Sequence, residues 1–276
     1  MKIAIMFGKK LFQRIMETDV FGLAAQLAYF FLLSLFPFLL FLLTLIGYLP
    51  IDDQSVIDVL ANIAPAQIMD LINTNISGLV NNQNGGLLSI SIIGTLWAAS
   101  NGVNALTRAF NKAYEVDEDR SFIVARLIAI IVTIGMVTII CIAFLLPIFG
   151  RMIGVYLFSF FGLSEGFIAI WETLRWLISS VIFFIVLLAL YKLAPNFKIY
   201  FKNAVWGALF ATVFWQIASM GFSYYVSTIG NYSATYGSLG TVIVLMIWFY
   251  LSGIIIMIGG VINATIREYK TAENKR

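Results

Sequence analysis

Four side chains in the stretch WAASNGVNALTRAFNKAYEVDEDR could do chemistry together: Asn101, Asn104, Arg108 and Asn111. Spacings of three, four and three residues put them on one face of a helix. Amides both donate and accept hydrogen bonds, and a guanidinium offers a fixed fork of donors that suits carboxylate or phosphate. Two readings follow. The stripe can line a water-filled cavity that holds an anionic or zwitterionic group, or it can bind neighbouring helices while Arg108 snorkels to phosphate. Beside it, Gly94, Ala98 and Gly102 repeat every four residues, a ridge small enough to admit another helix closely.

A second feature lies in LAYFFLLSLFPFLLFLLTL, residues 27–45, where Ser34 and Pro37 interrupt an apolar run. Pro37 cannot donate to the carbonyl four residues back and its ring crowds that carbonyl, so a helix through it is expected to bend or open near Leu33. In lipid the freed carbonyl needs a partner inside the protein, so something must pack against the break. Further on, Trp215, Gln216, Trp248 and Tyr250 lie deep in apolar segments and are expected to face other helices. Tyr224, Tyr225, Tyr232 and Tyr236 suit an aromatic belt at the outer interface.

What is missing narrows the chemistry. The chain has no histidine, so histidine triads, His-ligated zinc and imidazole proton relays are excluded. Its one cysteine, Cys141, sits in an apolar run and reads as core packing. The acidic run from Glu115 to Asp119 is interleaved with Arg108, Lys112 and Arg120, so it reads as solvated charge; a metal-dependent hydrolase needs clustered ligands and a held water. No catalytic residue, metal or cofactor is expected, and the chain reads as a non-enzyme. The apolar segments contain no Asp or Glu, which argues against a carrier that binds its driving ion on a buried carboxylate.

The elements that must position these groups are membrane helices. With 61% apolar and 11% charged residues and a mean hydropathy of +0.95, the chain departs from soluble domains, which carry about 25% charged residues. A crossing needs roughly 20 apolar residues, and stretches near 20–49, 86–107, 124–149, 174–193, 203–226 and 237–263 qualify. No removable signal peptide is expected ahead of the first. Fifteen of the seventeen Lys and Arg residues fall at the termini and in the loops after spans two and four, leaving only Arg151 and Arg175 on the other side. By the positive-inside rule this predicts six spans with both termini cytoplasmic.

The connection at 50–85 carries Asp52, Asp53, Asp58 and Asp70 without Lys or Arg, and its apolar residues recur at helical spacing on either side of Pro65. It is expected to form two short amphipathic helices over the outer end of the bundle. No repeat, low-complexity tract or soluble domain is visible, so 1–276 is expected to be one membrane domain. The basic tail TIREYKTAENKR is expected at anionic headgroups, not on nucleic acid.

Several stretches together resemble the YihY/BrkB family of bacterial inner-membrane proteins. They are LAYFFLLSLFPFLL, SNGVNALTRAFNKAYEVDEDRSF, LYKLAP and NYSATYGSLGTVIVLMIWFYLSGIIIMIGGVIN, in the family's order and over nearly the whole chain. The resemblance implies a six-helix, all-α, multi-pass protein of the bacterial inner (plasma) membrane. It marks Tyr29, Ser34, Pro37, Ser100, Asn111, Arg120, Tyr191, Pro195, Gly207, Tyr225, Tyr236, Gly237, Trp248 and Asn263 as recurring motif positions. An acidic residue that the family often has near the end of span six is absent here, where Gly259, Gly260 and Val261 stand. The family's old ribonuclease label is rejected for this sequence on the chemistry above.

The leading expectation is a permease-like or lipid-handling transporter. Its pathway candidates are Tyr29, Ser34, Pro37, Ser100, Asn101, Asn104, Arg108, Asn111, Trp215, Gln216, Tyr236 and Trp248, and its expected partners are membrane lipids. The alternative is a non-transporting scaffold for cell-envelope machinery.

Overall fold

The computed structural model describes residues 2–46, 85–136, 165–197, 199–228 and 238–273. In chain order the helices are α1 (Lys2–Glu17), α2 (Val20–Ile46), α3 (Gly85–Ala113), α4 (Phe122–Met136), α5 (Glu165–Leu193), α6 (Phe201–Thr228) and α7 (Ser238–Glu273). Five of them, α2, α3, α5, α6 and α7, are long and apolar enough to cross a membrane, while α4 is a shorter apolar helix. No strand occurs among the described residues. The expected outer helices, the second half of the third expected span with Cys141, and the turn holding Tyr232 and Tyr236 lie outside the described residues.

The first helix was not among the expected elements. α1 and α2 are separated only by Thr18 and Asp19, and Asp19 takes a left-handed backbone (φ 57°). Asp19 closes α1 through its N–H to the Met16 carbonyl (3.1 Å) and opens α2 by accepting the Gly22 N–H on its carboxylate (3.3 Å). A short acidic side chain tolerates that backbone and caps a helix N-terminus, so one residue ends one helix and starts the next. Gly22 leaves room for it, since a Cβ there would stand 2.6 Å from the carboxylate.

α2 does not open at Pro37 and is helical through Ile46. The neighbour is present: Gly94 of α3 faces the proline ring, and a Cβ at Gly94 would stand 3.3 Å from that of Pro37. Farther along, Gly102 lies against Phe31 and Leu27, and Ala98 between the two glycines is buried. The small-residue ridge is therefore the surface on which α2 packs, antiparallel, in the most extensive helix pair of the described residues. α7 lies over this pair, with Gly253 against Ala24 and Leu27, and α6 and then α5 follow it.

At one end of the bundle the C-termini of α3, α5 and α7 meet the N-termini of α2 and α6. A Cβ at Gly207 would fall 2.1 Å from the Gly259 carbonyl oxygen, and one at Gly260 would fall 2.4 Å from the Phe110 ring. α6 and α7 thus touch backbone to backbone, which only glycine permits. Asn263 ties the crossing, accepting the Gly207 N–H (2.6 Å) and donating to the Ala204 carbonyl (3.1 Å).

Candidate functional site

The polar stripe of α3 lies where α2 and α4 approach it. Arg126 of α4 donates to the Asn101 side-chain oxygen (2.6 Å) and to the Trp97 carbonyl (3.3 Å). Arg108 is exposed and donates to the Gln26 side-chain oxygen of α2 (2.7 Å). Asn104, between them on the same face, is half-buried and makes no side-chain hydrogen bond among the described residues. Two guanidinium groups therefore flank a free amide, and neither has a carboxylate partner among the described residues.

The other candidates separate. Ser100 is fully buried and returns its hydroxyl to the Trp97 carbonyl (3.0 Å), and Ser34 likewise bonds the Phe31 carbonyl (2.8 Å). Tyr29 is 58% exposed, one turn along α2 from Gln26 and packed edge-on against Phe30. Trp215, Gln216 and Trp248 belong to a different junction, of α5, α6 and α7. There Trp215 donates to Ser252 (3.0 Å), Gln216 donates to Ser180 (2.9 Å), and the Trp215 ring lies between Phe183 and Trp248. Tyr236 lies outside the described residues.

Asn111, last of the four stripe residues, turns into a charged knot at the bundle end. It is buried, donates to Glu118 (2.7 Å) and accepts the backbone N–H of Asn196 (2.7 Å). α3 ends here in a Schellman turn, with Glu115 left-handed (φ 55°), its N–H on the Lys112 carbonyl (3.2 Å) and that of Val116 on the Asn111 carbonyl (2.9 Å). The acidic run is consequently engaged. Glu115 accepts from Arg14 (2.6 Å), the Asp117 carbonyl accepts from Asn196 (2.9 Å), and Arg120 donates to the Ala194 and Pro195 carbonyls. Glu268 of α7 pairs with Lys10 and Arg14 of α1.

Tyr114 and Arg267 complete the knot. Tyr114 stacks on Phe197, and Arg267 lies 3.8 Å from the centre of the Phe197 ring. Burial raises the Tyr114 phenol above its ordinary pKa against the lowering pull of Arg267 and Arg14, and its hydroxyl has no partner among the described residues. Tyr191 is buried against Phe110 and donates to the Ile256 carbonyl (2.7 Å). No group of three His, Cys, Asp or Glu side chains that could hold a metal forms among the described residues.

Residues 11–276 match the model of the family described as Virulence factor BrkB. The chain belongs to the BrkB family. A Bacillus subtilis (strain 168) relative, named putative ribonuclease-like protein YfkH, is 52% identical over 264 residues, covering 96% of each chain. A UPF0761 membrane protein of Alteromonas mediterranea is 26% identical over 272 residues, covering 96% of this chain and 88% of its own. That of Idiomarina loihiensis, IL2447, is 31% identical over 116 residues, covering 42% and 41%. No solved structure matches.

Six of the fourteen motif positions that the BrkB resemblance marked, Asn111, Arg120, Tyr191, Pro195, Gly207 and Asn263, join chain segments in the knot. Sequence reasoning missed Gln26, Arg126 and Glu268 as partners. The first two had a signal, an amide alone in an apolar run and an arginine at the start of an apolar helix, but their pairing with α3 is long-range. The amphipathic period of α1 was present in KIAIMFGKKLFQRIME, and a search for long apolar stretches passes over it.

Proposed function

We propose that this BrkB protein handles lipid or another amphiphile in the bacterial inner membrane, as a permease-like protein. Asn101, Asn104 and Arg108, with Gln26 and Arg126, engage its anionic headgroup. One observation carries this reading: among the described residues, Arg108 and Arg126 are bonded to neutral amides and a carbonyl while their positive charges have no counter-ion. A guanidinium at a membrane helix is costly without an anion or water, and a phosphate or carboxylate headgroup is the anion a bilayer supplies. The free amide of Asn104 adds a donor and an acceptor between the two charges.

The orientation proposed with it has six spans and both termini on the cytoplasmic side. The convergence of Arg14, Arg108, Lys112, Arg120, Lys192 and Arg267 near one bundle end supports it, as does α4, which starts where the third span is expected. A ribonuclease activity is no part of the reading: the sequence has no histidine, and Glu115 and Glu118 are held by Arg14 and Asn111.

The test is headgroup translocation of a fluorescent phosphatidylglycerol across reconstituted vesicles, read by dithionite bleaching of the outer leaflet. The native protein is expected to accelerate it, and Asn104→Leu with Arg108→Leu to slow it several-fold at unchanged melting temperature. Unchanged transport by the intact double variant would sink the proposal. It would favour the alternative, a non-transporting scaffold, which draws support from the engagement of Asn101 and Asn111 with neighbouring segments.

A further inference from the structure

α1 carries more apolar surface than its contacts use. On its packed side Arg14 is buried, Leu11 and Ile15 are half-buried against the core, and Phe7 meets Tyr269 of α7 (5.7 Å between ring centres). Yet Ile5, Phe12 and Met16, at spacings of seven and four, form a second apolar row beside that side, and all three are more than half exposed. Lys9 lies next in rotation and Gln13 beyond it, both exposed. The helix is thus divided into a strip on the protein, an uncovered apolar strip, and a strip of Lys9, Gln13 and Glu17 that also carries the exposed Met6.

The depth of this helix is set by its connection. Only Thr18 and Asp19 separate it from α2, whose membrane-spanning stretch begins at Val20. That tether holds the C-terminal end of α1 at the bilayer surface, and the contact of Phe7 with Tyr269, the last residue of the membrane-spanning stretch of α7, holds its N-terminal half at the same level. It is held against α7 by the Lys10 and Arg14 pairs with Glu268, and against the α3–α4 connection by the Arg14 pair with Glu115. Between α1 and α7 an open cleft of about 480 Å³ is lined by Met6, Lys9, Lys10, Gln13, Glu268 and Tyr269.

We infer that α1 is an in-plane interfacial helix whose uncovered row, Ile5, Phe12 and Met16, inserts among the acyl chains of the adjoining leaflet while Lys9 meets anionic headgroups. The occupant of this face is the lipid surface. An uncovered apolar strip bordered by a lysine and tethered at the level of a span start has the division that such helices use to lie in the interface. Lys9 supplies the charge complement to an anionic leaflet.

The experiment places single nitroxide labels in the full chain, in a Cys141→Ala background, at positions 5, 12, 16 and, for the polar strip, 13 and 17. The protein is reconstituted in vesicles of phosphatidylcholine and phosphatidylglycerol, and power saturation compares collisions with oxygen and with a water-soluble nickel chelate. The expected result is an oxygen-to-nickel ratio several-fold higher at 5, 12 and 16 than at 13 and 17. Equal access of nickel at all five sites would overturn the inference by putting the row in water. Exclusion of both reagents at 5, 12 and 16 would also overturn it, because the row would then be covered by protein, such as a second copy of the chain.

Discussion

Arg14 and Arg108 sit near the same end of one bundle and meet opposite surroundings. Arg14 is buried with two carboxylates within 2.6 and 2.9 Å, from the α3–α4 connection and from α7. Arg108 is exposed, and a single neutral amide receives its hydrogen bond. A buried charge needs compensation to remain charged, so Arg14 is a structural tie that the fold itself completes. An uncompensated charge at a membrane helix is open to a ligand. On the proposed function, the counter-charge separates the cations that hold this fold from those left for the bilayer.

The hardest way to break the comparison is to remove the knot as a whole. A Cβ at Gly259 would fall 2.2 Å from the Tyr191 hydroxyl oxygen and 2.8 Å from the Gly207 carbonyl oxygen. Gly259→Leu is therefore expected to abolish the folded, monodisperse species in size-exclusion chromatography, because backbone cannot yield as a flexible side chain does. Native-like elution of this variant would show that the α6–α7 crossing is not a backbone contact.

Next in size is Asn111→Leu. It strands the Asn196 N–H and leaves Glu118 without its amide donor, an expected loss of about 2–3 kcal/mol that thermal unfolding in detergent would read as a lower melting temperature. Arg14→Ala follows. Hydrogen bonds to charged groups are worth about 1.5–3 kcal/mol, but Glu115 is exposed and Glu268 partly so, and screening reduces the expected loss to about 1–2 kcal/mol. If Arg14→Ala left stability untouched, the division between structural and ligand-seeking cations would lose its first half.

These contrasts were only half legible in the sequence. The stripe Asn101, Asn104, Arg108 and Asn111 could be read because helical period is local, and the ridge Gly94, Ala98 and Gly102 because small residues every four positions leave few other uses. Partners could not be read. Gln26 is 82 residues from Arg108 and Glu115 is 101 from Arg14, and nothing local to either arginine says which of them finds a carboxylate. For the same reason the run EVDED reads as solvated charge, and its acids are indeed exposed, but the pairs of Glu115 with Arg14 and of Glu118 with Asn111 could not be read. Pro37 shows the converse limit. Its chemistry forecasts an opening of the helix, but α2 continues through Ile46, with Gly94 of the next helix facing the proline. α1 escaped because its apolar residues occupy part of its circumference, so its mean hydropathy never resembles that of a span.

The smallest expected change in stability is the most informative. Arg108 is exposed and loses only its bond to Gln26 in Arg108→Leu, so the melting temperature should move by no more than an exposed substitution does, about 0.5 kcal/mol in free energy. Binding should respond much more. Phosphatidylglycerol retained through purification, measured as lipid phosphorus per protein, is expected to fall severalfold in Arg108→Leu and further when Arg126→Leu is added, while Arg14→Ala retains the native amount. Loss of a charge-assisted pair to phosphate without loss of fold is the signature of a cation whose partner comes from outside the protein. The reverse pattern, a destabilised Arg108→Leu with native lipid content, would make Arg108 a structural residue like Arg14 and leave the stripe as interhelical adhesion alone.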